Sequence, residues 1–395
     1  MDATRIIPIV LTARALRAFA DGFVAVLLPA YLLELGHGEL AVGALGTAAL
    51  AGSAIATLAV GRWGGRFAMR ALLVAAAALM VATGVGFASL ASFWPLAVVA
   101  FLGPLNPSGG DVSVFLPLEH TVIAAAPLHD RTAVFARYSF VGSTFGALGA
   151  LAAGVPQWLA STWPVEMLAA LRGMFVVYAC IGAALWLLYL RLPRSAIRTD
   201  APPAPLGPSR SVVWRLAALF CVDSFAGGLL VNSLLALWLF QRFGLSLSAA
   251  GVFFFWTGLL GAASQLAAPA LARRIGLVNT MVFTHIPASV FLIAAAFAPS
   301  QALVLTLLLL RAALSQMDVP ARSAFVMSVV TPAERPAAAS FTAVPRSLAS
   351  AVGPAISGAL LAGGALAAPL VACGALKIAY DLALYVAFRS VGPRR

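Results

Sequence analysis

The sequence predicts an all-α membrane protein with twelve transmembrane helices, arranged as two pseudo-symmetric six-helix bundles. Hydrophobic residues make up 62% of the 395 residues and charged residues only 10%, whereas a soluble domain averages about 25% charged residues. The chain contains twelve apolar runs, each close to the roughly 20 residues needed to cross a bilayer. One long polar segment divides these runs six and six.

Short gaps with turn-forming residues, such as Pro299 with Ser300, separate the runs. The predicted runs are 8–33, 41–60, 71–91, 94–120, 133–155, 168–190, 213–240, 248–270, 278–298, 301–326, 338–362 and 366–388. The polar segment, RLPRSAIRTDAPPAPLGPSRS, is rich in proline and arginine and lacks apolar periodicity, which is typical of a flexible linker. The predicted domains are therefore an N-terminal bundle (1–190), a cytoplasmic linker (191–211) and a C-terminal bundle (212–395).

Positive charge exceeds negative charge, with a net charge of +12. In a soluble chain this excess would suggest nucleic acid binding, but here the basic residues stand in short gaps between apolar runs, so no nucleic acid partner is expected. The arginines concentrate in alternate gaps, and cytoplasmic loops carry such an excess. Both termini and the 61–70 gap are therefore predicted to be cytoplasmic. The use of arginine with a single lysine, together with abundant alanine, indicates a bacterial chain, and hence a multi-pass protein of the inner membrane.

The two halves carry traces of an internal repeat. A shift of 208 residues places Gly36 on Gly244 and Arg66 on Arg274, and a shift of 204 places DRTA (130–133) on ERPA (334–337). Two related halves of six spans each are typical of secondary transporters.

The stretch GRWGGRFAMR (61–70) resembles the signature loop of the major facilitator superfamily, roughly G-x-L-[AG]-D-R-x-G-R-R. The loop residues that carry this resemblance, or stand within it, are Gly61, Arg62, Trp63, Gly64, Gly65, Arg66 and Arg70. A weaker copy in the second half holds Arg274 and Gly276. The family's usual aspartate is replaced by Gly65 in this loop and by Arg273 in the second copy. The charge relay that the family attributes to this aspartate is therefore not expected here. Topogenic charge alone is the alternative interpretation of the three arginines.

The resemblance implies transport of a small molecule by alternating access. The segment GSTFGALGALAAG (142–154) has the glycines of the family's antiporter motif without its proline. Close helix packing through small residues is the alternative for these glycines.

Charged residues inside the apolar runs are candidate functional residues, because each costs at least ~2.5 kcal/mol at mid-membrane. The acids predicted to serve proton coupling or the substrate pathway are Asp21, Asp111, Glu119, Asp223 and Asp318. The arginines predicted to be their charge partners are Arg14, Arg17, Arg137, Arg311, Arg322 and Arg346.

Spacing suggests particular partners for some of these charges. Arg17 and Asp21 share one helical face. Asp111, deep in the fourth run, is predicted to meet Arg137, or else Arg17. Arg311, Asp318 and Arg322 also fall on one face. Glu119 and Asp223 are expected near the cytoplasmic ends of their runs, and Lys377 with Asp381 is expected to form a structural pair within one helix.

No catalytic motif accompanies these charges. The sequence has no Walker motif, no His/Cys cluster and no G-x-S-x-G elbow, so neither an enzyme nor a cofactor or metal site is expected. The predicted function is proton-coupled export of a small molecule by a monomer in the lipid bilayer. An importer or uncoupled facilitator of the same fold is one alternative, and a membrane sensor or enzyme on a transporter scaffold is another.

Overall fold

A computed structural model describes residues 3–109, 113–125, 131–193, 207–331 and 334–389. Within them the chain is helical and contains no β-strand. The first-half helices are α1 (Ala3–Glu34), α2 (Glu39–Trp63), α3 (Met69–Ser89), α4 (Phe93–Leu102), α5 (Phe115–Ala125), α6 (Arg131–Ala152), α7 (Val155–Thr162) and α8 (Met167–Tyr189). The second-half helices are α9 (Arg210–Leu229), α10 (Asn232–Phe243), α11 (Leu247–Ile275), α12 (Leu277–Phe297), α13 (Gln301–Ser315), α14 (Asp318–Val329), α15 (Arg335–Ala362) and α16 (Ala368–Phe388).

These helices make twelve membrane spans, and the predicted fold class is confirmed. Ten stretches of the described residues are long and apolar enough to cross a bilayer. The other two spans are α15 and the fourth span, which is broken into α4 and α5. The seventh span consists of α9 with α10, and the tenth of α13 with α14.

The fourth span differs from its prediction as one continuous helix over 94–120. α4 ends at Leu102, and the next helix of the described residues begins at Phe115. Pro104 and Pro107 follow the end of α4 closely. A proline has no N–H to donate and disfavours helical conformation in the residue before it, so two prolines in four residues end the helix.

The seventh and tenth spans are also interrupted, where the sequence predicted continuous helices. Leu230, between α9 and α10, has φ −136° and ψ 55°, outside the helical region. α13 ends just before Gln316, and α14 begins at Asp318. Pro320 stands in the first turn of α14, where its missing N–H leaves the carbonyl of Gln316 without a helical partner. The interruption therefore lies about one turn before the proline.

The described residues form two compact units. The first comprises residues up to 193 together with 231–255, and the second comprises 207–230 and 256–389. Segment 231–255 is held in the first unit by hydrogen bonds. The amide of Ser233 donates to the carbonyl of Pro107 (3.1 Å), and the Gln241 side chain donates to Glu39 (2.6 Å). The predicted domain limits stay a prediction. Residues 194–206 of the predicted linker lie outside the described residues.

Helix packing repeats between the units. In the first unit α1 crosses α6 so closely that a Cβ on Gly22 would lie 2.1 Å from the carbonyl oxygen of Gly146. In the second unit α9 crosses α15 in the same way, and a Cβ on Gly228 would lie 2.2 Å from the carbonyl oxygen of Ser350. Gly228 follows Gly22 by 206 residues, and Ser350 follows Gly146 by 204. Small residues thus make equivalent backbone contacts in both halves.

Glu334 joins the start of α9 to the start of α15. Its carboxylate accepts hydrogen bonds from the amide of Gly207 (2.5 Å) and from the hydroxyls of Ser209 (2.7 Å) and Thr331 (2.6 Å). The hydroxyls of Thr331 and Ser209, followed by the backbone amides, lower the pKa of Glu334 from 4.5 to about 2. An ionised carboxylate is also favourable at the N-terminus of a helix.

We expect Glu334→Gln to lower the melting temperature of the detergent-solubilised protein at neutral pH. Because the folded-state pKa is depressed, the contribution of the carboxylate is complete above its ordinary pKa of 4.5 and disappears as the pH falls towards about 2. The difference in melting temperature between wild type and variant should therefore be constant from pH 7 to pH 6 and shrink below about pH 4.5.

Glu166→Gln is the matched control, because Glu166 precedes α8 without a capping hydrogen bond from its side chain. An equal loss in both variants, or a difference that grows in acid, would contradict this role for Glu334.

Candidate functional site: two buried charge clusters

The first unit contains a buried ion pair that joins four helices. Arg17 of α1 donates to the carboxylate of Glu119 of α5, with Nη2 and Oε2 2.5 Å apart. The phenol of Tyr189 on α8 donates to Oε1 of Glu119 (2.6 Å), and the phenol of Tyr138 on α6 donates to Oε2. Ser113 accepts a further bond from Arg17 (3.1 Å). These five residues are called the Glu119 cluster below.

The charged side chains of the Glu119 cluster are shielded from solvent. Although Glu119 was expected near the cytoplasmic end of its run, its side chain is 0% exposed and that of Arg17 only 2%. Each carboxylate oxygen accepts from a phenol, and one also accepts from the guanidinium. Sequence reasoning found the two charged residues but missed Ser113 and both tyrosines, because polar residues that face a buried carboxylate look like ordinary helix residues in an apolar run.

Two further predicted residues lie beside this cluster on α1. The guanidinium of Arg14 stands over the ring of Tyr138, 5.0 Å from its centroid, in space that Gly142 of α6 leaves open. Arg17, predicted to pair with Asp21, makes a salt bridge with Glu119. Asp21 follows one turn later on α1 and is buried.

The second unit contains a different arrangement around Asp223 of α9. Oδ1 accepts from the ammonium of Lys377 on α16 (2.6 Å), and Oδ2 accepts from the guanidinium of Arg322 on α14 (2.9 Å). Arg322 also bridges to Asp318 of its own helix (3.4 Å). His285 of α12 approaches the same carboxylate, with Nε2 4.0 Å from Oδ1. These five residues are called the Asp223 cluster.

Two expectations about this region were wrong. Lys377 and Asp381 do not pair with each other: Lys377 bonds to Asp223, and Asp381 accepts from Nδ1 of His285 (3.0 Å). Asp223 also lies deeper than predicted, because 13 residues separate it from the start of α9 at Arg210, about 20 Å at the helical rise.

The remaining arginines that were predicted as charge partners are not members of either cluster. Arg346 of α15 donates to Ser224 (3.0 Å) and stands over the ring of Phe220. Arg311 lies on α13 and is separated from α14 by the break in the tenth span, so it does not share a continuous helical face with Asp318 and Arg322. Arg137 is exposed on α6. Asp111, its predicted partner, lies outside the described residues.

The signature-like loop is solvent-accessible. α2 ends at Trp63, a short 3-10 turn covers Gly64–Arg66, and α3 begins at Met69. Arg62 and Arg66 are exposed and Arg70 is half-buried. Among the residues that the structure describes, no group of three or more His, Cys, Asp or Glu is arranged to hold a metal ion.

The two clusters occupy corresponding places in the repeat with their charges inverted. Asp223 follows Arg17 by 206 residues, close to the shift that relates the glycine contacts, and Arg322 follows Glu119 by 203. In the first unit the cation lies on the first span and the acid on the fourth. In the second unit the acid lies on the seventh span and the cation on the tenth.

Comparisons with known proteins agree with this architecture. The family model of the Major Facilitator Superfamily matches residues 10–316. The uncharacterized membrane protein YJR124C of Saccharomyces cerevisiae is 24% identical over 98% of this chain and 95% of its own. The solved nucleoside transporter NupG superposes with a TM-score of 0.76 at 15% identity, over 97% of this chain and 99% of that one. A D-xylose–proton symporter superposes with a TM-score of 0.74 at 16% identity, over 98% of each chain.

We expect Glu119→Gln to destabilise the protein strongly, because it leaves the guanidinium of Arg17 buried without its counter-charge. Removing one partner of a buried ion pair costs about 3–5 kcal/mol. Tyr189→Phe removes one hydrogen bond to a charged group and should cost about 1.5–3 kcal/mol. Melting curves and the yield of monodisperse protein in detergent would rank the two variants. A Glu119→Gln protein as stable as wild type would show that the pair is not needed for folding.

Proposed function

The chain belongs to the Major Facilitator Superfamily, and on that premise we propose that it is a secondary transporter that couples the movement of a small molecule to protons. Its fold is that of the superfamily's transporters, and no enzyme is found among these similar proteins. The two halves would alternate access to a site near the bilayer midplane. Asp223 is the acid that we propose carries the coupling.

The observation that carries the proposal is the sharing of one carboxylate between cations from two other spans. Asp223 bonds to Lys377 of the twelfth span and to Arg322 of the tenth. A proton on Asp223 would remove the charge that both cations face. Arg322 would keep Asp318 as a partner, whereas Lys377 would lose the only carboxylate with which it forms a salt bridge among the described residues.

Two features favour Asp223 over Glu119 as the coupling acid. Both carboxylate oxygens of Glu119 already accept hydrogen bonds from phenols or from a guanidinium, and the side chains of Glu119 and Arg17 are almost inaccessible to solvent. In the Asp223 cluster the side chain of Lys377 is 12% exposed and that of Asp223 8%, so the second cluster is the more open of the two. The seventh and tenth spans, which hold Asp223 and Arg322, are both broken, whereas Arg17, the partner of Glu119, lies on a continuous helix. Broken helices at membrane depth supply substrate and ion sites in secondary transporters.

The contacts in the two clusters specify neither the direction of transport nor the transported compound, so both are proposed from other observations. We propose export from a bacterial cytoplasm on the basis of the composition and of the partial antiporter motif in the fifth span. Import and uncoupled facilitation are the alternatives. Nucleosides and D-xylose are the first compounds to test, because they are named for proteins with the same fold. Asp111 keeps its predicted role as a further coupling acid.

We expect Asp223→Asn to abolish proton movement while leaving exchange of the compound measurable. Vesicles containing the purified protein and a trapped pH-sensitive dye would be screened with nucleosides and pentoses. A transported compound should change the internal pH with wild-type protein but not with Asp223→Asn. Counterflow of the labelled compound, which needs no net proton movement, should persist because binding and alternation remain possible without the titrating group.

Glu34→Gln is the control, because it removes a carboxyl group at an exposed helix end. Wild-type proton movement in a well-folded Asp223→Asn protein would rule out Asp223 as the coupling acid. Transport of a compound without any pH change in wild type would establish facilitation instead.

The proposed orientation has a separate test in intact cells. Gly38 and Gly61 both stand where an added side chain meets no neighbour, and they lie at opposite ends of α2. If the arginine-rich 61–70 loop is cytoplasmic, a membrane-impermeant maleimide should label Gly38→Cys and not Gly61→Cys. The unsubstituted chain controls for its three native cysteines. The reverse labelling pattern would invert the topology.

A further inference from the structure

A buried histidine in the second unit has no part in the proposal above. His285 lies in α12, and its side chain is 5% exposed. α12 packs against α13, α14 and α16, and the ring of Tyr380 on α16 meets the imidazole edge-on. No sequence pattern pointed to His285, because a lone histidine in an apolar helix is compatible with ordinary packing.

The contacts of His285 determine its tautomer. Nδ1 lies 3.0 Å and 3.2 Å from the two carboxylate oxygens of Asp381. An ionised carboxylate only accepts hydrogen bonds, so Nδ1 carries the hydrogen. In the neutral ring Nε2 is then an acceptor. The ammonium of Lys377, which only donates, lies 3.4 Å from Nε2.

A second proton on the ring would reverse the Nε2 contact. Nε2 would become a donor that faces the three donors of Lys377, with two positive charges 3.4 Å apart. At the same time Oδ1 of Asp223, 4.0 Å from Nε2, would attract the imidazolium. Lys377 bonds to that same oxygen at 2.6 Å. The protonated ring and the ammonium therefore compete for one carboxylate oxygen.

The other charged groups around this contact leave the competition intact. α14 contributes Arg322, which bonds to the opposite oxygen of Asp223, and Asp318, which bridges to Arg322. α13 contributes Arg311. None of these residues makes a hydrogen bond or ion pair with the imidazole in the part of the chain described here.

We propose that His285 is a proton-binding site and that its protonation displaces Lys377 from Asp223. The imidazole can accept a second proton at Nε2, whereas the ammonium of Lys377 can only donate. Displacement breaks the bond between the seventh and twelfth spans and replaces it with a bond to the ninth. The inference rests on the proposed proton coupling, for which it supplies the place where the proton enters.

The chain is well suited to a direct test, because Lys377 is its only lysine and His285 one of only four histidines. Protein labelled with ¹⁵N at the side chains of lysine and histidine gives a single ammonium signal and four imidazole pairs. In lipid nanodiscs between pH 8 and pH 5, the His285 signals should change from the neutral Nδ1–H form to the imidazolium. The Lys377 signal should shift over the same pH interval.

Three variants make the assignment and the linkage explicit. In His285→Asn the amide nitrogen stands near the position of Nδ1 and can still donate to Asp381, but no group replaces Nε2, so the shift of the Lys377 signal with pH should be lost. His285→Gln, whose amide reaches the position of Nε2, should also lose the shift and serves if the asparagine variant does not fold. His37→Asn changes a histidine that bonds to the carbonyl of Ala91 in an exposed loop, and it should keep the shift.

A Lys377 signal that is independent of pH in wild type would overturn the proposal, and so would a shift that persists in both His285 variants. Protonation of His285 without a change in the Lys377 signal would also overturn the proposal, because the proposal is that the two changes are linked. No transported compound is needed, so the measurement is independent of the flux experiment. Linked signals in a protein without proton-driven flux would contradict the proposed function and leave the histidine site standing.

Discussion

A charge inside a bilayer needs a partner that the protein itself supplies, because neither lipid nor bulk water can offer one at that depth. This requirement organises the interior of both units. Arg17 on the first span is satisfied only where the fourth, fifth and sixth spans bring Glu119 and its two phenols to it. Asp223 is satisfied only where the tenth and twelfth spans bring a guanidinium and an ammonium. The spans that carry these residues are thus tied together, by one ion pair in the first half and by two in the second.

The same requirement governs the interrupted spans, whose backbone groups lose their helical partners. In the fourth span, the carbonyl of Pro107 accepts from the amide of Ser233 at the start of α10. The carbonyl of Pro104 accepts from the phenol of Tyr178 (3.3 Å), and the side chain of Asn106 accepts from the amide of Ser108. Irregular backbone at membrane depth is tolerated where protein groups replace the missing helical bonds. The breaks therefore depend on partners that are distant in sequence.

This dependence explains what the sequence predicts and what it does not. The twelve spans follow from length and hydropathy, which are local properties, and the charged residues identify themselves because they are rare in apolar runs. The ion-pair partners of these charged residues, however, cannot be predicted from length and hydropathy. Arg17 faces Asp21 along its own helix but bonds to Glu119, and Lys377 faces Asp381 but bonds to Asp223. Spacing within one helix places two side chains on one face, whereas the choice of partner depends on which neighbouring helix covers that face.

Inversion of the two charge pairs gives the duplicated halves unequal chemistry. A proton on Glu119 would remove the negative charge that two phenols and the guanidinium of Arg17 now face at hydrogen-bond distance. In the second half the acid stands on the seventh span, where two cations bond to its two oxygens and an imidazole lies close to the oxygen that Lys377 occupies. Because Arg322 has a second acid in Asp318, this half can change its proton content and still keep its guanidinium paired. One copy of an ancestral contact can therefore remain a fixed structural tie while the other becomes an exchangeable network, and an exchangeable network is what proton coupling requires.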